Sequence, residues 1–244
     1  MNLKIEDRSS FVDHFLTPLS KAENACVLNL SESGITALLA TTDNTVIVFA
    51  NYKKDMPGTV TAKLNIPDLN RLIKILNCIS TTDVTLDLTL NSVKYEGSNV
   101  RFTYHLLEDG ILSVPPLSIQ KIKQLTYDTS FTVTYASFIN LIKGSSFVNN
   151  LNKAYFSTKN GQVYVELSDR QSHNVDSISF KLCDTFTGTS ITNPLPISFE
   201  TIRVIANAKF NKINVFINTK LNVMAFEVTN DDIKNTYIVS GLVK

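Results

Sequence analysis

A charge imbalance is the first thing this sequence lacks. Its 244 residues hold 23 Lys and Arg against 22 Asp and Glu, a formal net charge of +1. A nucleic-acid binder with an open groove usually shows a strongly basic balance and a pI above ~9, whereas this chain has a pI of about 7.7. Basic and acidic tails are missing too. Any contact with DNA must therefore use locally arranged charge. Long apolar runs are also lacking. Although 43% of residues are hydrophobic, no stretch approaches the ~18 continuous apolar residues of a membrane span. The opening MNLKIEDRSS puts Glu6, Asp7 and Arg8 where a secretory leader needs an apolar run. The expectation is a cytoplasmic protein with no membrane partner, lying in the host cytoplasm if phage-encoded.

Cysteine is scarce, and its pattern excludes more chemistry. Cys26, Cys78 and Cys183 are odd in number and far apart, with no C-x-x-C pair. A disulfide framework or zinc site is not expected, and all three read as buried small hydrophobes. The eight glycines are scattered singly, so neither G-x-G-x-x-G nor a P-loop exists. G-x-S-x-G and H-E-x-x-H are absent. His14, His105 and His173 sit far apart, and the acidic pairs Glu6-Asp7, Glu108-Asp109 and Asp231-Asp232 read as solvated turns. The reading is a protein that is not an enzyme, with no catalytic residue, no metal and no cofactor.

What is present is mostly alternation of period two. Ala25–Leu30, Gly34–Thr41, Thr45–Tyr52, Val60–Leu64, Asp83–Thr89 and Val100–His105 are rich in Val, Ile, Leu and Thr, with polar turns between them. Short spacing predicts antiparallel hairpins. Two helices interrupt them. Over Ser9–Ala22, Phe11, Val12, Phe15, Leu16 and Leu19 share a face, and Pro18 should bend or end that helix early. Over 67–79, Pro67 suits the first turn, and Leu69, Leu72, Ile73, Leu76 and Ile79 form an apolar stripe.

The second half repeats this order. Phe138, Ile139, Leu141 and Ile142 open a helix. Strands follow at Ala154–Thr158, Gln162–Ser168 and Ser177–Cys183, with a short one after Pro194-Leu195-Pro196. A helix then turns Ile202, Ile205 and Ala206 inward, before strands at Ile213–Asn218, Val223–Val228 and Tyr237–Leu242. Each half reads helix, four strands, helix, three strands. This predicts two α+β domains, 1–106 and 129–244, joined by a connector over 107–128 that contains Ile111, Leu112, Val114, Pro115, Pro116 and Leu117. Those apolar residues are unusual for a solvated linker. They fit either packing across a domain junction or the rim of a peptide-binding pocket.

Charge is unevenly partitioned. Over 8–21, 67–79, 135–153 and 199–212 stand Arg8, Lys21, Arg71, Lys74, Lys143, Lys153, Arg203, Lys209 and Lys212, opposed only by Asp13, Asp68 and Glu200. Lys and Arg are good helix formers, which accounts for any one of them. Their repetition in all four segments points to a shared basic surface.

This layout resembles the DNA sliding clamps, of the tailed-phage and proliferating cell nuclear antigen types. FLTPLSKAENACVLNLSESGITALLATTDNTVIVFANY (Phe15–Tyr52), LNIPDLNRLIKIL (Leu64–Leu76) and YIVSGLVK (Tyr237–Lys244) are similar to the corresponding clamp segments. The resemblance covers nearly the whole chain but is one of patterning, and the C-terminus lacks the tail signature of eukaryotic clamps, which favours a viral or phage type. It implies sliding-clamp domains, each with an antiparallel sheet and two helices, closing head to tail into a homotrimeric ring. The edges would lie near Val100–His105 in one subunit and Ser177–Cys183 in the next. The nine basic residues above would face encircled double-stranded DNA without reading its sequence. Partners would be a DNA polymerase, held through Ile111, Leu112, Val114 and Leu117, and an ATP-dependent clamp loader. Two alternatives stay open: a viral structural or assembly protein of duplicated α+β domains, and a monomeric processivity subunit of the same fold.

Overall fold

Leu3 and Ile5 alternate with Asn2 and Lys4, too briefly to stand out in the sequence, and form the first strand, β1 (Asn2–Ile5), with both apolar side chains buried. The structure is a computed structural model describing residues 1–56, 61–115, 119–170 and 176–242. Two units divide the chain: the first comprises 1–42, 48–119 and 230–235, the second 43–47, 120–229 and 236–244.

In the first unit, Asp7 caps α1 (Arg8–Ser10) by accepting the Ser10 N–H at 2.9 Å. The chain then widens into a π-helical segment, Phe11–Leu16, and continues as α2 (Thr17–Ala22). Of the two outcomes expected at Pro18, bending or ending the helix, ending does not occur. Pro18 occupies the first turn of α2, where the missing N–H costs little. In a regular helix residue 18 would donate to the His14 carbonyl; here that oxygen accepts Asn235 Nδ2 at 2.8 Å instead. Phe11 stacks on Phe15 and both contact Tyr52, fixing this helix on the core.

Strands β2 (Cys26–Ser31), β3 (Gly34–Ala40), β4 (Val46–Lys53) and β5 (Ala62–Ile66) follow, then α3 (Leu69–Leu76), β6 (Val84–Leu88), β7 (Ser92–Glu96) and β8 (Arg101–His105). One sheet runs β1-β6-β7-β8 and the other β4-β3-β2-β5. Gly34 closes the β2–β3 turn at φ +129, where a Cβ would stand 2.0 Å from the Tyr52 carbonyl. α3 starts two residues later than the proline predicts, because Asp68 is its cap and Pro67 therefore precedes the helix instead of standing in its first turn.

The second unit begins with α4 (Ile119–Lys123) and β9 (Thr129–Thr134), then α5 (Tyr135–Gly144), capped by Thr134, and a 3-10 turn, Ser145–Phe147. It continues through β10 (Lys153–Lys159), β11 (Gln162–Ser168), β12 (Ser177–Cys183), β13 (Thr187–Gly188), β14 (Leu195–Ser198), α6 (Phe199–Ala206), β15 (Lys212–Asn218), β16 (Val223–Asn230) and β17 (Ile233–Ser240). Its sheets run β12-β11-β10-β14 and β13-β9-β15-β16-β17. Apart from β13, these match the first unit strand for strand. Phe226 of β16 meets Phe138 of α5 and Phe156 of β10 edge to face, so one aromatic cluster ties both sheets to the helix.

The predicted α+β duplication is present, and the antiparallel pairing is as expected. Each half also opens on a strand, β1 or β9, which the reading omitted along with β13 and α4; β7 supplies the third strand counted after the second helix but not located. Val60 lies outside the described residues. The last strand begins at Ile233 and stops at Ser240.

Candidate functional site

Exposed cations on the helices follow from how each helix buries its apolar side. In α3, Leu69, Leu72 and Leu76 are buried, which leaves Arg71 and Lys74 exposed. The Asp68 carboxylate accepts the Arg71 N–H at 2.9 Å and Asn24 Nδ2 at 3.1 Å. The backbone bond from Arg71 is the main reason its carboxyl pKa lies below the ordinary value. Lys21 is exposed in the last turn of α2, which packs against α3.

Arg8 behaves differently. Its guanidinium donates from Nε to the Thr81 carbonyl at 3.2 Å, and from Nη1 to the Leu76 carbonyl at 3.4 Å and Asn77 Oδ1 at 3.2 Å. It closes the C-terminal end of α3, where orphan carbonyls and the helix dipole favour a cation.

In the second unit α5 packs against α6, with Lys143 exposed in the last turn of α5 and Arg203 exposed on α6. Arg203 pairs with Glu200 at 3.1 Å and lies 5.1 Å above the Phe199 ring. An exposed ion pair of this kind is worth ~0–1 kcal/mol, so a phosphate can displace it.

Three expected helix residues lie elsewhere. α5 gives way to the 3-10 turn after Gly144, and Lys153 opens β10 opposite Ser198. α6 ends at Ala206; Lys209, at φ +44, turns the chain so that Phe210 folds back onto Tyr135 and Phe138. Lys212 then opens β15 opposite Thr134. Within the four predicted segments the helices proper thus carry Arg8, Lys21, Arg71, Lys74, Lys143 and Arg203, with Asp13 and Glu200 against them, and α4 adds Lys121 and Lys123.

Among the strands that end their sheets with no neighbour beyond them among the described residues are β8 in the first unit and β12 in the second. β8 exposes Arg101, Thr103 and His105, and β12 exposes Ser177, Ser179 and Lys181. Unpaired edges of this kind invite a further strand.

The start of the connector is tied down. Asn65 is buried, and its Nδ2 donates to the Leu107 carbonyl at 3.3 Å and Asp109 Oδ1 at 2.7 Å, while its carbonyl accepts the Leu107 N–H at 3.0 Å. Beyond it, Ile111 and Val114 are 59% and 54% exposed, and Leu112 is half-buried. Leu117 lies outside the described residues.

A cavity of about 610 Å³ opens in the second unit, lined among others by Thr189, Ile191, Pro196, Thr219, Asn222 and Leu242. Its described lining contains no charged side chain. Sequence reading missed it. Pro194 and Pro196 were visible signals, but the lining also draws on a turn and the chain's exit from β17. There the Gly241 N–H donates to the Asn222 carbonyl at 2.5 Å and the Leu242 N–H to the Pro196 carbonyl at 2.8 Å.

The cysteines need correction. Only Cys26 is buried, and burial pushes its pKa up to about 12; Cys183 is half-buried and Cys78 exposed. Cys78 follows the apolar stripe of α3 on its polar side. Among the described residues no group of three His, Cys, Asp or Glu could hold a metal ion, and no helix is long and apolar enough to cross a membrane. His173 lies outside the described residues.

No protein-family profile and no curated protein matches the chain. Solved structures do. The proliferating cell nuclear antigen of Entamoeba histolytica superposes with a TM-score of 0.79 at 12% identity, covering 99% of this chain and 98% of that one. A structure of the C-terminal region of FEN-1 bound to A. fulgidus PCNA matches with a TM-score of 0.77 at 14% identity, covering 100% and 98%. The chain has the sliding-clamp fold over its whole length.

Proposed function

We propose that this protein is a DNA sliding clamp that encircles duplex DNA as a homotrimeric ring and tethers a replicative polymerase to it. The observation that carries the reading is the full-length clamp fold combined with exposed Lys21, Arg71, Lys74, Lys143 and Arg203 on its helices. Two clamp domains, over 1–106 and 129–244 with a connector at 107–128, would need three copies to make a six-domain ring. The open edges β8 and β12 suit head-to-tail closure, in which each subunit supplies one of each.

Topological enclosure removes the need for tight binding. The phosphate lattice carries one charge per ~1.7 Å, so sparse lysine and arginine contacts exchange readily as the ring moves. Lys153, Lys209 and Lys212 remain candidate DNA contacts from strands and loops, and Arg8 contributes through long-range charge. A polymerase held on the ring stays at high effective concentration beside the primer end. Its docking segment would bind the connector residues Ile111, Leu112, Val114 and Leu117, of which Ile111 and Val114 are exposed. The uncharged cavity is a second candidate seat for an extended apolar peptide. Loading falls to a separate ATP-driven protein. The ring is a scaffold and not an enzyme, acting in the compartment where its phage or viral genome is copied.

Native mass spectrometry combined with DNA retention tests this. A trimer retained much longer on closed circular than on linear DNA is expected. A stable monomer retained equally on both would overturn the ring and favour a monomeric processivity subunit or an assembly protein.

A further inference from the structure

Asp128 commits every polar group it has to a different part of the second unit. Its N–H donates to the Ile217 carbonyl at 2.9 Å, and its carbonyl accepts the Thr189 N–H at 2.8 Å. Its carboxylate accepts the Thr219 N–H at 3.1 and 3.2 Å and the Thr219 hydroxyl at 2.7 Å, while the nearby Thr129 hydroxyl donates to the Thr189 carbonyl at 2.5 Å. Burial alone would raise its carboxyl pKa, but the side-chain and backbone bonds from Thr219 outweigh that and hold it below the ordinary value. The adjoining backbone approaches so closely that a Cβ on Gly188 would lie 2.0 Å from the Asp128 carbonyl oxygen, at a φ of +100.

Thr189 and Thr219 both line the cavity. The turn that Thr219 begins ends at Asn222, another lining residue, whose carbonyl accepts the Gly241 N–H. Asn218 reinforces the same turn: its Nδ2 donates to the Thr126 carbonyl at 2.8 Å and its Oδ1 accepts the Leu221 N–H at 2.7 Å. The matching turn of the first unit makes the same backbone contact to the chain beyond its last strand, the Leu106 N–H donating to the Asn91 carbonyl at 2.8 Å. Its opening residue, however, is held within the turn: the Ser92 N–H donates to Thr89 Oγ1 at 3.1 Å and the Thr89 N–H to the Ser92 carbonyl at 2.9 Å.

We infer that Asp128 is the positioning residue of this cavity: it holds Thr189 and the Thr219–Asn222 turn at a fixed separation and so sets the opening through which a partner's extended segment enters. The inference rests on the reading of the cavity as a partner seat, and Asp128 is not part of the lining. Its carboxylate is the one group that takes both Thr219 donors, so its loss frees the turn while the β9–β15 ladder remains.

Hydrogen–deuterium exchange on the full chain tests this, with anilinonaphthalene sulfonate as a cavity probe. In Asp128→Ala, which removes the carboxylate and keeps the backbone carbonyl that holds Thr189, exchange at 218–222 should rise at least tenfold while 187–191, α5 and α6 stay unchanged, and dye affinity should fall at least fivefold. Asp128→Asn keeps an acceptor for Thr219 and should recover part of both. Three results would each overturn the inference: unchanged exchange at 218–222, a rise spread equally through α5 and α6, or dye affinity unaffected by both substitutions. The measurements need neither DNA nor a polymerase. Failure of the wild-type chain to trimerise or to stay on circular DNA would therefore count against the proposed function and leave this result standing.

Discussion

Tyr237 carries its hydroxyl into a fully enclosed position where it finds no hydrogen-bond partner among the described residues, and burial drives its pKa far up. A buried, unpaired hydroxyl costs ~1–3 kcal/mol. Tyr237→Phe should therefore leave stability unchanged or raise it by up to ~1 kcal/mol in thermal unfolding; a clear loss would show that the hydroxyl is satisfied. Arg8 and Arg71 make a sharper contrast at the same scale. In composition they are alike, but Arg8 donates to the Leu76 and Thr81 carbonyls while Arg71 is exposed. Arg8→Ala should cost about 1 kcal/mol of stability by uncapping α3. Arg71→Ala should leave stability within ~0.5 kcal/mol and shorten retention on DNA. Denaturant titration and DNA retention on the two variants read both effects.

The element that departs most from its pattern is the first helix. Its apolar spacing is helical, yet the Phe11–Leu16 segment is π-helical and Pro18 does not break it. The reason lies far away in sequence: Asn235, completely buried in β17, takes up the His14 carbonyl. Asn235→Ala should destabilise the protein by ~1–3 kcal/mol through that orphaned carbonyl. Protection loss should concentrate in 11–22 during hydrogen exchange, and a uniform loss would refute the link. The alternation that betrayed β2 to β6 could not expose β1 or β9, because four to six residues set against the start of a helix, two residues away for β1 and adjoining for β9, give too few periods to read. Helix ends were equally hidden. Lys153 and Lys212 sit on strands because α5 and α6 stop where turn residues, not apolar spacing, decide the path.

At the scale of the whole molecule, a near-neutral chain with cations on its helices suits the proposed ring, which would enclose DNA without gripping it. The combined substitution Arg71, Lys74, Lys143 and Arg203 to Glu should spare the fold, since all four are exposed. It should cut polymerase processivity at least tenfold, with native mass unchanged. Processivity equal to that of the wild type would remove these helices from the DNA-facing surface.

Sequence by itself determined the duplicated α+β layout, the antiparallel pairing and the uneven placement of charge, because period and composition are local properties that each segment carries alone. Tertiary structure decided which cations are exposed and which, like Arg8, cap a helix. It also decided which strands are left as edges, and where Thr189, Thr219, Asn222 and Leu242 surround a cavity. Those outcomes depend on residues tens of positions apart satisfying one another's backbone groups, as Asp128 does for Thr189 and Thr219. A linear pattern carries no record of such pairings. The opening near-neutrality therefore excluded only tight groove binders, and folding alone separated the two kinds of arginine behind it.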